Sequence, residues 1–181
     1  MNAQTPVIQI KGLHKAYGTL EVLKGVDVSA PKGHVISLIG SSGSGKSTLL
    51  RLLSGLCEPT EGSYSVDAMD IHQIDPSDVR RNVGYLPQEV QLLRGHLRDN
   101  LRISTHEFTD EALMEALDFA GLGEFVRAHP EGLDLKVQDG GGGLSTGQKV
   151  AVELAKLYLQ DPAVVLMDEP TAALDQQAES E

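Results

Sequence analysis

Apolar residues recur along this chain in two periods, and the switches between them mark the elements. Val7-Ile8-Gln9-Ile10-Lys11-Gly12-Leu13 alternates with period two and predicts a strand ended by a turn. Val22 to Val28 predicts a second strand, and Pro31-Lys32-Gly33 a turn. His34-Val35-Ile36-Ser37-Leu38-Ile39 is a short run rich in aliphatic and β-branched residues, the composition of a buried strand. Thr48-Leu49-Leu50-Arg51-Leu52-Leu53 lacks Gly and Pro and predicts a helix. Glu58 to Gly62 breaks the chain before a short strand, Ser63 to Val66. Asp75-Pro76 is a helix start, with Asp as the cap and Pro at the first helical position. Val83 to Leu86 predicts a strand closed by Pro87-Gln88, and Leu97 to Ile103 a helix.

The helical period is clearest further on. Thr109 caps a helix carrying Leu113, Ala116, Leu117 and Ala120 on one face, stopped by Gly121. Glu124 to Ala128 adds a turn or two. Gly140 to Gly143 form a run whose backbone is costly to order, so it is either mobile or pinned by a partner. Ser145 is a good cap for a helix from about Thr146 to Leu159, ended by Asp161-Pro162. Ala163 to Met167 is the most apolar strand in the chain and predicts the most deeply buried one. Asp168-Glu169 stands at its C-terminal end.

Between the run 34–39 and the helix at 48 lies Gly40-Ser41-Ser42-Gly43-Ser44-Gly45-Lys46-Ser47. It fits G-x-x-x-x-G-K-[ST], a phosphate-binding loop, and strand–loop–helix is the context that motif requires. Glycines let the backbone approach phosphate oxygens, and the N–H groups and helix N-terminus favour an anion. Lys46 is expected to reach the β- and γ-phosphates, and the Ser47 hydroxyl to ligate Mg²⁺. With Thr48, these residues form the candidate nucleotide-binding set.

Composition narrows the picture. The chain has 181 residues, 40% of them apolar, and no Trp, so aliphatic side chains build its core. A single cysteine, Cys57, forms no internal disulfide and suits a reducing compartment. No stretch approaches the ~18 apolar residues of a membrane span. The net charge is −11, and the acidic excess lies beyond residue 100. Such a surface argues against non-specific nucleic-acid binding, which needs clustered Lys and Arg.

In open α/β sheets ligands sit beyond the carboxyl ends of strands. Beside a phosphate loop, that placement makes Asp168 a candidate to hold Mg²⁺, together with Ser47 and Gln88, and Glu169 a candidate to polarise a water for attack on a γ-phosphate. Tyr17, a lone aromatic before Gly18, reads either as a core residue or as a platform for a base ring.

Taken together these stretches resemble the nucleotide-binding domain of ABC transporters. The discriminating piece is Leu144-Ser145-Thr146-Gly147-Gln148, similar to that family's L-S-G-G-Q signature and followed by an apolar strand ending in Asp-Glu. The resemblance covers nearly all of residues 7–175. It implies an α/β phosphate-loop NTPase fold with a mostly parallel core sheet, an N-terminal antiparallel β subdomain and an α-helical subdomain. Residues 1–90 would form the core with the loop, 91–145 the helical part ending at the signature, and 146–181 the return to the core.

The resemblance also implies roles. Tyr17 matches the aromatic that stacks on adenine, and Gln88 the glutamine that senses Mg²⁺ and faces a transmembrane partner. Asp175 matches the aspartate of the loop after the catalytic strand. Ser145, Gly147 and Gln148 would act on ATP bound to a second copy, so that two subunits sandwich two ATP. Glu169, Lys46 and Gln88 are the catalytic candidates. The implied setting is the cytoplasmic face of a membrane, against a permease domain.

Some positions depart from the pattern. Thr146 replaces a glycine of the signature, and Ala172 a serine of the later loop. The family has a histidine beyond the catalytic strand, whereas the last histidine here is His129. The expectation is therefore a truncated chain, with a nucleotide-binding module lacking turnover as the alternative to an ATPase. Residues 7–50 are similar to ATPases of polar amino-acid importers. Later residues, Val83 to Gly95 and His129 to Asp134, are similar to type I secretion exporters, which raises a chimera joined near Thr48 to Leu53 beside one divergent natural protein.

Overall fold

Ile8, Ile10 and Leu13 put one face of the first strand into a core, and the rest of the N-terminal part is built against it. In the computed structural model, which describes residues 6–102 and 107–169, strand β1 (Pro6–Tyr17) pairs antiparallel with β2 (Leu20–Pro31) and β3 (Glu61–Val66). A two-residue strand β4 (Met69–Asp70) completes the order β2-β1-β3-β4. β1 does not end at Gly12 as the alternation suggests. The register shifts between Ile10 and Leu13, and the Gly12 N–H donates to Asp27 Oδ1 at 2.8 Å. The bulge satisfies the donor that leaves the ladder, so the strand continues to Tyr17.

Helix α1 (Lys46–Leu53) buries Leu49, Leu50, Leu52 and Leu53. The buried Tyr64 of β3 donates its hydroxyl to the Leu53 carbonyl at 2.8 Å, tying the helix end to the sheet. Helix α2 (Pro76–Asn82) starts as expected: Asp75 Oδ1 accepts from the Ser77 N–H at 2.7 Å.

One expected element is not formed. Residues 34–39 adopt no strand, and Val35 and Ile39 are 94% and 97% exposed. Preference for an extended chain is local, but a ladder needs a second chain segment. None of the four strands of this sheet takes 34–39 as a neighbour.

Contacts divide the chain once, between Val83 and Gly84, into two compact units. In the second unit, β5 (Val83–Leu86), which begins at that division, pairs with β8 (Val164–Met167). β6 (Gly95–His96) pairs antiparallel with β7 (Lys136–Val137). Around them lie α3 (Leu97–Leu101), α4 (Asp110–Phe119), α5 (Gly123–Ala128) and α6 (Thr146–Gln160). The α4 face of Leu113, Ala116 and Leu117 joins Val152 and Ala155 of α6 in one apolar cluster. Thr109 caps α4 by accepting from the Ala112 N–H at 3.3 Å. Ile103, the expected end of the helix at 97, lies outside the described residues.

Two polar anchors hold α3 to its surroundings. Asn100 is buried, yet its amide donates to the Leu93 and His96 carbonyls at 2.9 and 3.1 Å and accepts from the Leu93 N–H at 2.8 Å. Arg98 bridges Asp134 at 2.5 Å and Asp110 at 2.9 Å. The strand expected to be most deeply buried, β8, buries only Leu166 among its four residues, whereas Val165 and Met167 are exposed. Apolar composition reports the tendency to be covered, but covering requires a neighbour on each face.

Candidate functional site

The phosphate loop is held by its own backbone. The Ser44 N–H donates to the Ser41 carbonyl at 3.2 Å, and Gly45 caps α1 at φ 93°. Glycine is required there twice over, since a Cβ would also lie 2.8 Å from Leu23 Cδ2. No side chain caps α1 and its first turn carries no acidic residue, so its leading amides remain available to an anion. Lys46 turns back over the loop, and its ammonium donates to the Gly40 carbonyl at 2.7 Å and the Ser41 carbonyl at 3.1 Å. Gly40, Ser41, Ser42, Gly43 and Ser44 are exposed, while Ser47 and Thr48 are half-buried at the helix start. This donor set, N–H groups and an ammonium without a carboxylate partner among the described residues, fits a polyphosphate.

Tyr17 ends β1 at the hairpin and is 50% exposed, so it is not a core residue. Lys15 Nζ lies 5.1 Å from the centre of its ring and donates to the Glu58 carbonyl at 2.6 Å. Lys15 was not apparent as a candidate; its only sequence signal is the period of two that puts it on the same strand face as Tyr17. A cavity of about 260 Å³ in this unit, lined by Leu52, Cys57, Tyr64 and Val79 among others, includes none of the candidate residues.

In the second unit, the strand pair delivers the acids. The Asp168 N–H donates to the Leu86 carbonyl at 2.9 Å, carrying the β5–β8 ladder to the strand ends. Just past those ends, Gln88 Nε2 donates to Glu169 Oε2 at 2.9 Å. Asp168 is buried at 4% exposure, whereas Gln88 and Glu169 are exposed. Glu169 has φ 51°, a left-handed backbone that costs a side-chain-bearing residue about 1–2 kcal/mol. The hydrogen bond to Glu169 uses the amide nitrogen of Gln88, so its amide oxygen can still accept or ligate. The candidate Mg²⁺ ligands, Ser47 hydroxyl, Gln88 amide oxygen and Asp168 carboxylate, are all hard oxygens, the chemistry that Mg²⁺ takes. Asp175 lies outside the described residues.

The signature stretch is pinned rather than loose. The Gln138 N–H donates to the Gly142 carbonyl at 3.1 Å, and the Gly141 N–H to Gln138 at 2.9 Å. Ser145 and Gln148 then form a capping box: Ser145 Oγ accepts from the Gln148 N–H at 3.2 Å, and Gln148 Oε1 from the Ser145 N–H at 2.8 Å. Both side chains are thereby oriented at the start of α6, and the Ser145 O–H is still a donor. Gly147 lies in the first turn.

The mixed α/β architecture and the glycine loop at a helix start define a phosphate-loop nucleotide-binding domain. The chain matches the ABC transporter family model over residues 23–172, and it belongs to that family. A probable ABC transporter ATP-binding/permease protein of Haemophilus influenzae is 33% identical over 93% of this chain and 30% of its own length. The mitochondrial potassium channel ATP-binding subunit of Xenopus tropicalis is 39% identical over 88% of this chain and 23% of its own length. Among solved structures, a bacterial Atm1-family ABC exporter with ATP bound matches with a TM-score of 0.90 at 28% identity, covering 99% of this chain and 32% of that one. The chain spans a third or less of the length of these relatives. No helix among the described residues is long and apolar enough to cross a membrane.

Proposed function

We propose that this chain binds and hydrolyses ATP to drive an exporter-type ABC transporter, with Mg²⁺ as cofactor. The loop amides of residues 40–45 and Lys46 hold the phosphates, and Tyr17 stacks on the adenine. Ser47, Gln88 and Asp168 hold the ion, which when bound screens phosphate charge. Glu169 takes the proton from the attacking water, with Gln88 orienting its carboxylate. The water oxygen bonds to the γ-phosphorus as the bond from that phosphorus to the β–γ bridging oxygen breaks, giving ADP and phosphate.

Two copies of the domain are needed. Ser145, Gly147 and Gln148 of one copy present a capped helix start to the γ-phosphate held by the other, and Asp175 contributes to the same nucleotide site. The transmembrane segments come from a permease domain, and the assembly works at the cytoplasmic face of a membrane. The exporter assignment draws on the similarity to the Atm1-family exporter.

The observation that carries the reading is the uncapped, acid-free start of α1 with the Lys46 ammonium folded over the loop mouth. Calorimetry with Mg-ATP tests it. A folded chain that gives no heat of association at millimolar nucleotide sinks it. Steady phosphate release that rises more steeply than linearly with protein concentration is the expected sign of the two-copy site.

A further inference from the structure

We propose that Lys15 is a positioning residue for the adenine platform: its ammonium, anchored on the Glu58 carbonyl, fixes the Tyr17 ring from one face and leaves the other for the base. The inference rests on the reading of Tyr17 given above.

Tyr17 sits where β1 turns into β2, paired with Leu20 across the hairpin and half exposed. A ring at such a tip is free to change rotamer, and ordering it on a ligand costs side-chain entropy. Lys15 is two residues back, so both side chains leave the same face of the strand. Its Nζ is 5.1 Å from the ring centre, within cation–π range. That ammonium is itself held, donating to the Glu58 carbonyl at 2.6 Å.

The anchor is itself held, because the 58–60 segment is tied to the same strand at two further points. The Thr60 N–H donates to the His14 carbonyl at 2.9 Å, and Thr60 Oγ1 accepts from the Ala16 N–H at 3.0 Å. Lys15 is thus gripped between a fixed carbonyl and the ring. An ammonium can cover only one face of an aromatic ring, so a planar base meets a ring already oriented. A serine or leucine at position 15 would supply neither the charge nor the tether.

The test measures Kd for Mg-ATP and for Mg-tripolyphosphate, which carries the phosphates without a base. It uses the full chain and the variants Lys15→Met, Lys15→Arg and Tyr17→Ala. Lys15→Met is expected to weaken ATP by about two- to fivefold, the span of an exposed cation–π contact, and to leave tripolyphosphate unchanged. Lys15→Arg restores most of the loss, and Lys15→Met adds nothing once Tyr17 is Ala. Equal weakening of ATP and tripolyphosphate overturns the proposal, since Lys15 then acts as a phosphate charge. So does an unchanged ATP affinity in Lys15→Met, or a loss additive with Tyr17→Ala. If Tyr17→Ala leaves the preference for ATP over tripolyphosphate intact, the platform reading falls and takes the proposal with it. That result is distinct from a failure of Lys15 alone. Circular dichroism of each variant confirms that the strand pair is retained.

Discussion

Gln88 Nε2 donates to Glu169 Oε2 at 2.9 Å, across 81 residues of sequence. The bond exists because β5 and β8 are ladder neighbours to their last residues, with the Asp168 N–H on the Leu86 carbonyl. Whatever follows the two strands must then meet. A carboxylate held by an amide donor is oriented and keeps oxygen lone pairs with which to accept a proton from water.

Glu169→Gln keeps the size of the side chain and removes the base. Phosphate release is expected to fall by about 10²- to 10⁴-fold, the usual contribution of a general base, while Mg-ATP affinity stays within about twofold. Gln88→Ala frees the carboxylate and removes one proposed ion ligand but leaves the base in place, so its loss of turnover is smaller. Undiminished phosphate release from Glu169→Gln would remove Glu169 from the chemistry.

Lys46 spends its donors on two loop carbonyls, Gly40 and Ser41, and none on a carboxylate among the described residues. Exchanging carbonyls for phosphate oxygens gains a full opposite charge. Lys46→Ala should weaken Mg-ATP by about ten- to a hundredfold, in line with a charge-assisted hydrogen bond. It should leave the unfolding midpoint nearly unchanged, because the ammonium's hydrogen bonds among the described residues stay within the loop. A titration showing equal affinity for variant and parent contradicts the assigned role.

Local chemistry made much of this legible in the sequence. Caps at Asp75, Thr109 and Ser145 each bond the helix they precede, because a cap is a contact over two or three residues. The phosphate loop was legible for the same reason. What depends on distant partners was not. Residues 34–39 have a strand's composition without a ladder, and β8 has a buried strand's composition with Val165 and Met167 exposed. β1 runs past its expected stop because Asp27, fifteen residues on, satisfies Gly12. The partnership of Gln88 and Glu169 had no local sign, and Lys15 was hidden by its ordinary place in an alternating strand.

Gly62 has φ 94°, and a Cβ there would lie 2.2 Å from the Gly12 carbonyl oxygen and 2.8 Å from Leu13 Cα. Both obstacles are backbone of the neighbouring strand, so no side chain can rotate away. Gly62→Ala should destabilise the chain by at least ~3 kcal/mol. Gly33 has φ 75° but open space around it, so Gly33→Ala isolates the backbone cost at about 1 kcal/mol. Urea unfolding of the pair measures the difference. Equal losses would mean that β1 and β3 are not this close.

Tyr64 supplies a test by pH. Burial pushes its hydroxyl well above the ordinary value of 10.0, and it donates to the Leu53 carbonyl at 2.8 Å. In the unfolded chain the same group ionises near its ordinary value. Its contribution to stability is therefore fully present below pH 10.0 and drains away as pH rises toward the folded value, by up to ~1.4 kcal/mol per unit. Tyr64→Phe cannot ionise, so it lacks this slope, but it loses the hydrogen bond, about 1 kcal/mol near neutrality. The deficit of the variant against the parent should thus shrink between about pH 8 and about pH 10.5. Taking the difference between the two proteins cancels the other tyrosines and the lysines, which titrate in both. A deficit that stays constant over that interval shows that the hydroxyl ionises alike in folded and unfolded chains, and so is not sealed between β3 and the end of α1.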